Sequence, residues 1–247
     1  MKKNTGNFGK LAKDYKFFRP DYPARIIRDI YSFVTVSSPT ILDLGCGTGI
    51  STRQMAKRGS KVFGCDIDEK MLENALKNKN NITYALGAAE KLPFAKETFD
   101  LITMFSSFHW FANKKAMNEI KRVLKPKGII FIVQPRQTSP FRYDRIDIIN
   151  KVLGVTVKTK YSKRKFEDVL AQNNFKIIEN KIYKTVNKYT LEQFLKLLQT
   201  YSIWNDVPIS KRKCILKLFK SHFSMLLKNG LIYDTADLNL ICAKRLI

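Results

Sequence analysis

The sequence predicts an α/β protein, a doubly wound and mostly parallel sheet with helices on both faces. Three observations carry that expectation. The first is Thr40-Ile41-Leu42-Asp43-Leu44-Gly45-Cys46-Gly47-Thr48-Gly49-Ile50, an apolar run that ends in an acid and three alternating glycines. Ile41, Leu42 and Leu44 read as a strand buried on both faces, and the glycines read as a tight turn into a helix. The second is alternation: strand-like runs at 61–65, 82–86, 100–105 and 129–133 are separated by helix-forming stretches, the signature of a parallel sheet wound on both sides. The third is length. At 247 residues the chain is long for one domain and short for two, which suits a single α/β domain with an inserted cap.

Taken in order, Phe8 to Pro23 is dense in aromatics and closes with two prolines. It reads as a hydrophobic flap packed on the domain, or as a lid whose Tyr15, Arg19 and Tyr22 face the active site. A helix starts near Pro23, a favoured first-turn residue, with Ile26, Ile27, Ile30, Tyr31 and Val34 on one face. Ser51 to Arg58 continues the glycine turn as a helix that Gly59 stops. The next strand, Lys61 to Cys65, ends at Asp66, and Asp68 is placed to cap the helix that begins at Glu69. The strand Ile82–Leu86 leads into the loop Gly87-Ala88-Ala89-Glu90-Lys91-Leu92-Pro93-Phe94. The strand Asp100–Phe105 releases Ser106-Ser107-Phe108-His109-Trp110-Phe111 at its carboxyl end, where chemistry in open α/β sheets is found. A helix over Ala112–Leu124, a turn over 125–128 and a strand over Ile129–Val133 follow.

Beyond Gln134 the pattern weakens. Residues 134–165 show little periodicity and are expected to cap the cavity, with Arg136, Arg142 and Arg145 either binding an acidic substrate or lying as surface charges. A short helix over Lys165–Gln172 and a strand near Phe175–Lys184 come next. Thr190-Leu191-Glu192-Gln193 is a capping box opening a helix through Leu198, and Ser210 starts another helix reaching about Lys228. Leu238–Arg245 closes the chain as a strand. This gives three regions: an N-terminal flap and helix (1–36), a ligand-binding core (37–136), and cap insertions with the last two strands (137–247).

Composition narrows the function classes. Hydrophobic residues make up 45%, yet no run approaches the ~20 apolar residues that span a bilayer. Met1-Lys2-Lys3-Asn4-Thr5-Gly6 has no apolar segment behind it and does not read as a secretory signal. Cys46, Cys65, Cys214 and Cys242 lack C-x-x-C or zinc-ligand spacing, so reduced thiols and no metal site are expected. A soluble cytoplasmic protein without a membrane partner follows from these features. The net charge is +24, which invites a nucleic-acid reading. The charge is spread evenly, however, and favours solvated faces over a dedicated nucleic-acid surface. Only the stretch 43–90 is near neutral, with six acids against seven bases, which suits a cationic ligand.

The glycine turn itself points to an adenosyl ligand. Without a Cβ, glycine adopts positive φ and lets a ligand approach the main chain beyond the strand end. A dinucleotide fingerprint would place its third glycine or alanine at residue 50, which is Ile50, so the spacing differs from G-x-G-x-x-G/A. Asp66, at the tip of the second strand and about 20 positions on, is where a ribose needs a carboxylate.

These motifs resemble a known family. Leu42-Asp43-Leu44-Gly45-Cys46-Gly47-Thr48-Gly49, Gly64-Cys65-Asp66, Ala89-Glu90-Lys91-Leu92-Pro93-Phe94, Phe99-Asp100-Leu101-Ile102, His109-Trp110-Phe111 and Arg122-Val123-Leu124-Lys125-Pro126-Lys127-Gly128 are similar, in order and spacing, to the motifs of class I S-adenosylmethionine-dependent methyltransferases. The resemblance covers residues 8–136. Tyr15 to Pro23 and the His109-Trp110 pair look most like the small-molecule branch containing trans-aconitate and juvenile hormone acid methyltransferases. The resemblance implies a seven-stranded Rossmann-like methyltransferase sheet with an antiparallel last strand beside the sixth and two late helices as a cap.

It also implies roles. S-adenosyl-L-methionine would be the cofactor, leaving as S-adenosyl-L-homocysteine. Gly45, Gly47 and Gly49 would lie under its methionine part with Asp43 near the amino group, and Asp66 would hold the ribose. Ile67 would pack on the adenine, and Ala89 and Glu90 would line its edge. The family often has Asp or Asn where this chain has Ala88, so adenine recognition would rest on main-chain contacts. Ser106 and Ser107 would lie near the sulfonium, which puts His109 and Trp110 at the edge of the substrate cavity, with Tyr15, Arg19, Tyr22 and Arg136 as further substrate contacts. Methyl transfer is an in-line displacement needing mainly alignment and exclusion of water. A carboxylate acceptor needs no base; a phenol, amine or carbon acid would call on His109, which otherwise orients its loop. The favoured expectation is O-methylation of a carboxylate on a small molecule. The alternatives are an RNA- or tRNA-modifying methyltransferase and a non-catalytic cofactor-binding protein.

Overall fold

A computed structural model describes residues 17–56, 60–77, 82–136, 139, 141–156 and 165–246. Tyr15 and the helix stop expected at Gly59 lie outside these residues. Seven strands form one sheet: β1 (Thr40–Leu44), β2 (Lys61–Asp66), β3 (Thr83–Leu86), β4 (Phe99–Phe105), β5 (Leu124–Arg136), β6 (Phe175–Tyr189) and β7 (Ile232–Arg245), in the order β3-β2-β1-β4-β5-β7-β6. The pairs among β3, β2, β1, β4 and β5 are parallel, and β7 runs antiparallel to both β5 and β6. The predicted antiparallel last strand is therefore present beside the sixth. Strand order reverses between β1 and β4, and such a switch point opens a ligand crevice beyond the strands' carboxyl ends.

Helices cover both faces. On one side, α1 (Ala24–Ser32) begins after Pro23 and buries Ile26, Ile27 and Ile30 against Ile41, Leu101, Phe131 and Val133. The opposite face carries α4 (Phe108–Phe111), α5 (Lys114–Val123) and α7 (Phe166–Ala171), which pack on Leu42, Leu44, Met104, Ile130 and Ile132. Two further helices start at the strand tips: α2 (Ile50–Met55) and α3 (Glu69–Leu76). Asp68 caps α3, accepting from the amides of Lys70 and Met71 at 3.1 and 3.3 Å.

A third apolar cluster lies within the cap. It joins α6 (Phe141–Leu153), α8 (Leu191–Gln199), a 3-10 turn (Ser202–Asp206) and α9 (Ile209–Ser224) around Ile149, Phe194, Trp204, Phe219 and Phe223. The Thr190–Gln193 capping box opens α8, with both reciprocal bonds formed. Three expectations are revised. The helix α6 stands where periodicity was weak, because only Arg145 and Ile149 along it are fully buried, a stripe too narrow to show in the sequence. β5 starts at Leu124, which pairs with Phe99 ahead of a register shift, so the expected turn at 125–128 is part of an irregular strand. β6 and β7 also extend past their expected limits, to Tyr189 and back to Ile232, as one long antiparallel pair. Among the described residues no helix is long and apolar enough to cross a membrane.

Candidate active site

The three glycines of the β1–α2 turn all have positive φ, at 72°, 54° and 76°, the left-handed region that a β-carbon disfavours. Packing adds a second constraint at two of them. A Cβ on Gly45 would stand 2.5 Å from the Cβ of Ser107, and one on Gly49 would stand 2.5 Å from the Tyr84 hydroxyl. Beneath the turn, Asp43 is fully buried. Its carboxylate accepts from Ser51 (2.7 Å), Thr52 (2.7 Å) and Thr103 (2.9 Å). Burial raises its pKa, and those three hydroxyls oppose the rise. The side chain thus turns into the protein, tying β1, α2 and β4 together below the glycines.

At the tip of β2, half-buried Asp66 accepts from the amides of Gly47 (2.7 Å) and Asp68 (2.9 Å). Burial lifts its pKa above the usual carboxylate value, while the backbone donors pull it back. Two aliphatic side chains stand exposed beside it: Ile67 and Leu86, each 54% accessible. Leu86 lies opposite Asp66 in the β2–β3 register. Ala89 is buried, and exposed Glu90 accepts from the Asn113 side chain at 2.8 Å.

Across the switch point, Ser106 follows β4 with φ 52°, and its amide donates to Val133 O at 2.7 Å. The hydroxyls of Ser106 and Tyr22 share a hydrogen bond of 2.9 Å, and the Tyr22 ring lies 4.6 Å from that of Phe105. Ser107 is buried and donates to Leu44 O at 2.7 Å. His109 Nδ1 lies 3.2 Å from Gln134 Oε1. With that oxygen accepting, Nδ1 carries the proton and Nε2 keeps its lone pair. Burial holds the His109 pKa below its ordinary value. Trp110 sits beside it at 5.0 Å and is 42% exposed.

Just after α8, Tyr201 receives two guanidiniums: Arg19 at 4.1 Å and Arg145 at 3.8 Å from its ring centre. Arg19 also donates to the Thr200 hydroxyl at 3.0 Å. Buried Asp234, at the start of β7, accepts from Ser139 at 2.5 Å. Its pKa is raised by burial, with Ser139, Arg145 and Arg19 opposing. Of the other cap arginines, Arg136 is exposed at the end of β5, opposite Asp237 in register, and Arg142 lies 5.8 Å from the Tyr143 ring. Two cavities, of about 310 and 480 Å³, flank Asp29, Lys181 and Tyr183. They lie between α1 and the middle of β6, away from this crevice. Among the described residues no cluster of His, Cys, Asp or Glu is arranged for a metal.

Residues 42–132 match the family described as "Methyltransferase domain". The chain carries a methyltransferase domain, and its relatives and fold neighbours support an S-adenosylmethionine-dependent methyltransferase. An uncharacterised methyltransferase of Schizosaccharomyces pombe is 28% identical over 204 residues, covering 81% of this chain and 80% of the relative. In fold, the YcgJ protein of Bacillus subtilis superposes with TM-score 0.57 at 21% identity, covering 90% of this chain and 99% of its own. The Haemonchus contortus phosphoethanolamine N-methyltransferase 2, solved with phosphomonomethylethanolamine and S-adenosylhomocysteine, gives 0.56 at 18% identity, covering 96% of this chain and 57% of its own.

Six of the residues that the sequence singled out meet in three pairs. Gly45 meets Ser107, Gly47 meets Asp66, and Tyr22 meets Ser106. Sequence reasoning passed over Gln54, Tyr84, Leu86, Gln134, Tyr201 and Asp234. Leu86 had a signal, an apolar residue closing the third strand. The others act through contacts distant in sequence and had none.

Proposed function

We propose that this methyltransferase acts on a small anionic acceptor, with O-methylation of a carboxylate as its favoured reaction. The observation that carries the reading is the pair of guanidiniums on Tyr201. Arg19 lies three residues before Tyr22, whose hydroxyl reaches the end of β4, and Arg145 comes from the cap. Both also act electrostatically on Asp234, and two guanidiniums converging on one ring make a cationic patch that would draw an anion. A carboxylate is already nucleophilic, so the chain need only align it and exclude water.

The residues fit the cofactor. The glycine turn offers close main-chain approach, half-exposed Asp66 offers a carboxylate at the ribose position, and Ile67 with Leu86 offers apolar surface for the adenine. Ala89 and Glu90 would border that ring through main-chain groups, Ser106 and Ser107 would border the methyl end, and Asp43 would act from below by fixing the turn. When bound, S-adenosylmethionine supplies an electrophilic methyl group on a sulfonium. Tyr22 and Ser106 would present hydroxyls to the acceptor, Trp110 would wall the cavity, and neutral His109 would orient the loop. The finer placement, in the trans-aconitate and juvenile hormone acid branch, rests on the resemblance carried by Tyr15 to Pro23 and the His109-Trp110 pair.

The test is release of S-adenosylhomocysteine on adding a panel of small carboxylic acids. Activity confined to phenols, amines or carbon acids would reject the reaction and give His109 Nε2 the role of base. The net charge favours a second reading, methylation of RNA. Arg25, Arg28, Lys181 and Lys184 line the larger flank cavity, and steeply salt-dependent RNA binding with methyl label entering the RNA would select it.

A further inference from the structure

We propose that Gln54 is a positioning residue that ties the acceptor-side flap to the cofactor's own turn. Its carboxamide grips Tyr22 on both sides: the Tyr22 amide donates to Gln54 Oε1 at 3.0 Å, and Gln54 Nε2 donates to Tyr22 O at 2.7 Å. Tyr22 comes just before Pro23, the N-cap of α1, and both of these main-chain bonds go to a side chain 32 positions away. Gln54 stands on α2, the six-residue helix that Gly49 caps at its N-terminus. It therefore lies just over one turn from the glycines, about 7 Å along the axis, and moves with them.

The other end of Tyr22 reaches the methyl-transfer side. Its ring packs on Phe105 and its hydroxyl shares a hydrogen bond with Ser106, a residue held in left-handed backbone conformation. One continuous set of contacts thus runs from the glycine turn through Gln54 and Tyr22 to the end of β4. Cofactor that steadies the turn steadies Gln54, and Gln54 then fixes the flap and the Tyr22 hydroxyl. The acceptor side is completed once the donor side is filled, an order that keeps water from the bound methyl donor. The inference needs the cofactor only and is independent of which acceptor is used.

Amide hydrogen exchange of the peptide over residues 17–31, with and without S-adenosylhomocysteine, tests it. In the wild type the ligand should slow exchange at Tyr22 about tenfold or more, as expected for a strengthened buried hydrogen-bond pair. Gln54→Leu should bind the ligand within about threefold of wild type and lose that slowing. Gln54→Glu keeps the size and the acceptor but has no donor at pH 8, so slowing should be absent there and return at acidic pH as the carboxyl takes up a proton. Slowing that persists in Gln54→Leu would overturn the proposal. So would loss of ligand binding in both variants, because Gln54 would then serve the turn alone.

Discussion

Ser107 occupies the space that a side chain on Gly45 would need: an added β-carbon would come within 2.5 Å of the Ser107 β-carbon. The loop after β4 is thereby pressed against the cofactor turn, and Ser107 is locked there by its bond to Leu44 O. Gly45→Ala should therefore combine left-handed backbone strain with overpacking and destabilise the fold by about 2–5 kcal/mol. Gly47→Ala meets only the flexible end of Met71, at 3.3 Å, and should lose about 1–2 kcal/mol. Urea unfolding of the two variants checks the order; equal losses would show that Ser107 yields.

Asp66 should govern cofactor affinity. Two charge-assisted bonds to a ribose, each worth about 1.5–3 kcal/mol, would make Asp66→Ala weaken S-adenosylhomocysteine binding by about a hundredfold to ten-thousandfold. Because burial raises this carboxyl's pKa, the proton should return, and affinity fall, at a higher pH than for an ordinary aspartate. Calorimetric titration at several pH values should show that loss in the wild type, and a flat profile in Asp66→Asn.

His109 should contribute an acid-side loss of stability. Burial depresses its folded pKa below 6.5, so the unfolded chain binds more protons in the window between the depressed value and 6.5. Stability then rises with pH across that window and is level above it. Thermal melts of wild type and His109→Gln should converge as pH falls from 6.5 toward the depressed folded value. A constant gap between them would contradict the assignment.

Arg145 should matter to the acceptor and spare the cofactor. Arg145→Met should raise the acceptor KM about ten- to a hundredfold, the value of one lost charge-assisted contact, with S-adenosylhomocysteine affinity unchanged. Arg145→Lys keeps the charge without the planar fork and should fall between. Steady-state kinetics with the most active acid checks both.

What could be read from the chain was local chemistry at fixed offsets. The alternating glycines, Asp66 at the next strand tip, the Asp68 cap and the Thr190–Gln193 box each depend on neighbours within a few residues or one βαβ unit, and each appears in the structure as a formed feature. The antiparallel seventh strand came with the family resemblance. The residues proposed to face the acceptor were hidden for physical reasons. Arg19, Arg145, Tyr201 and Asp234 come from four separate segments and meet only through the tertiary fold, and Gln54 meets Tyr22 across 32 positions. The helix α6 escaped because so few of its residues are fully buried. Asp43, read from the resemblance as a ligand neighbour, is satisfied by three hydroxyls inside the protein, partners that spacing alone did not reveal.

The most direct test of an anionic small-molecule acceptor is the fate of the methyl group. The enzyme would be incubated with methyl-labelled S-adenosylmethionine, a mixture of small carboxylic acids and total RNA, and the products treated with mild alkali. The account predicts label in low-molecular-weight product that alkali releases as methanol, the behaviour of a methyl ester. Label that resists alkali and travels with RNA would contradict it.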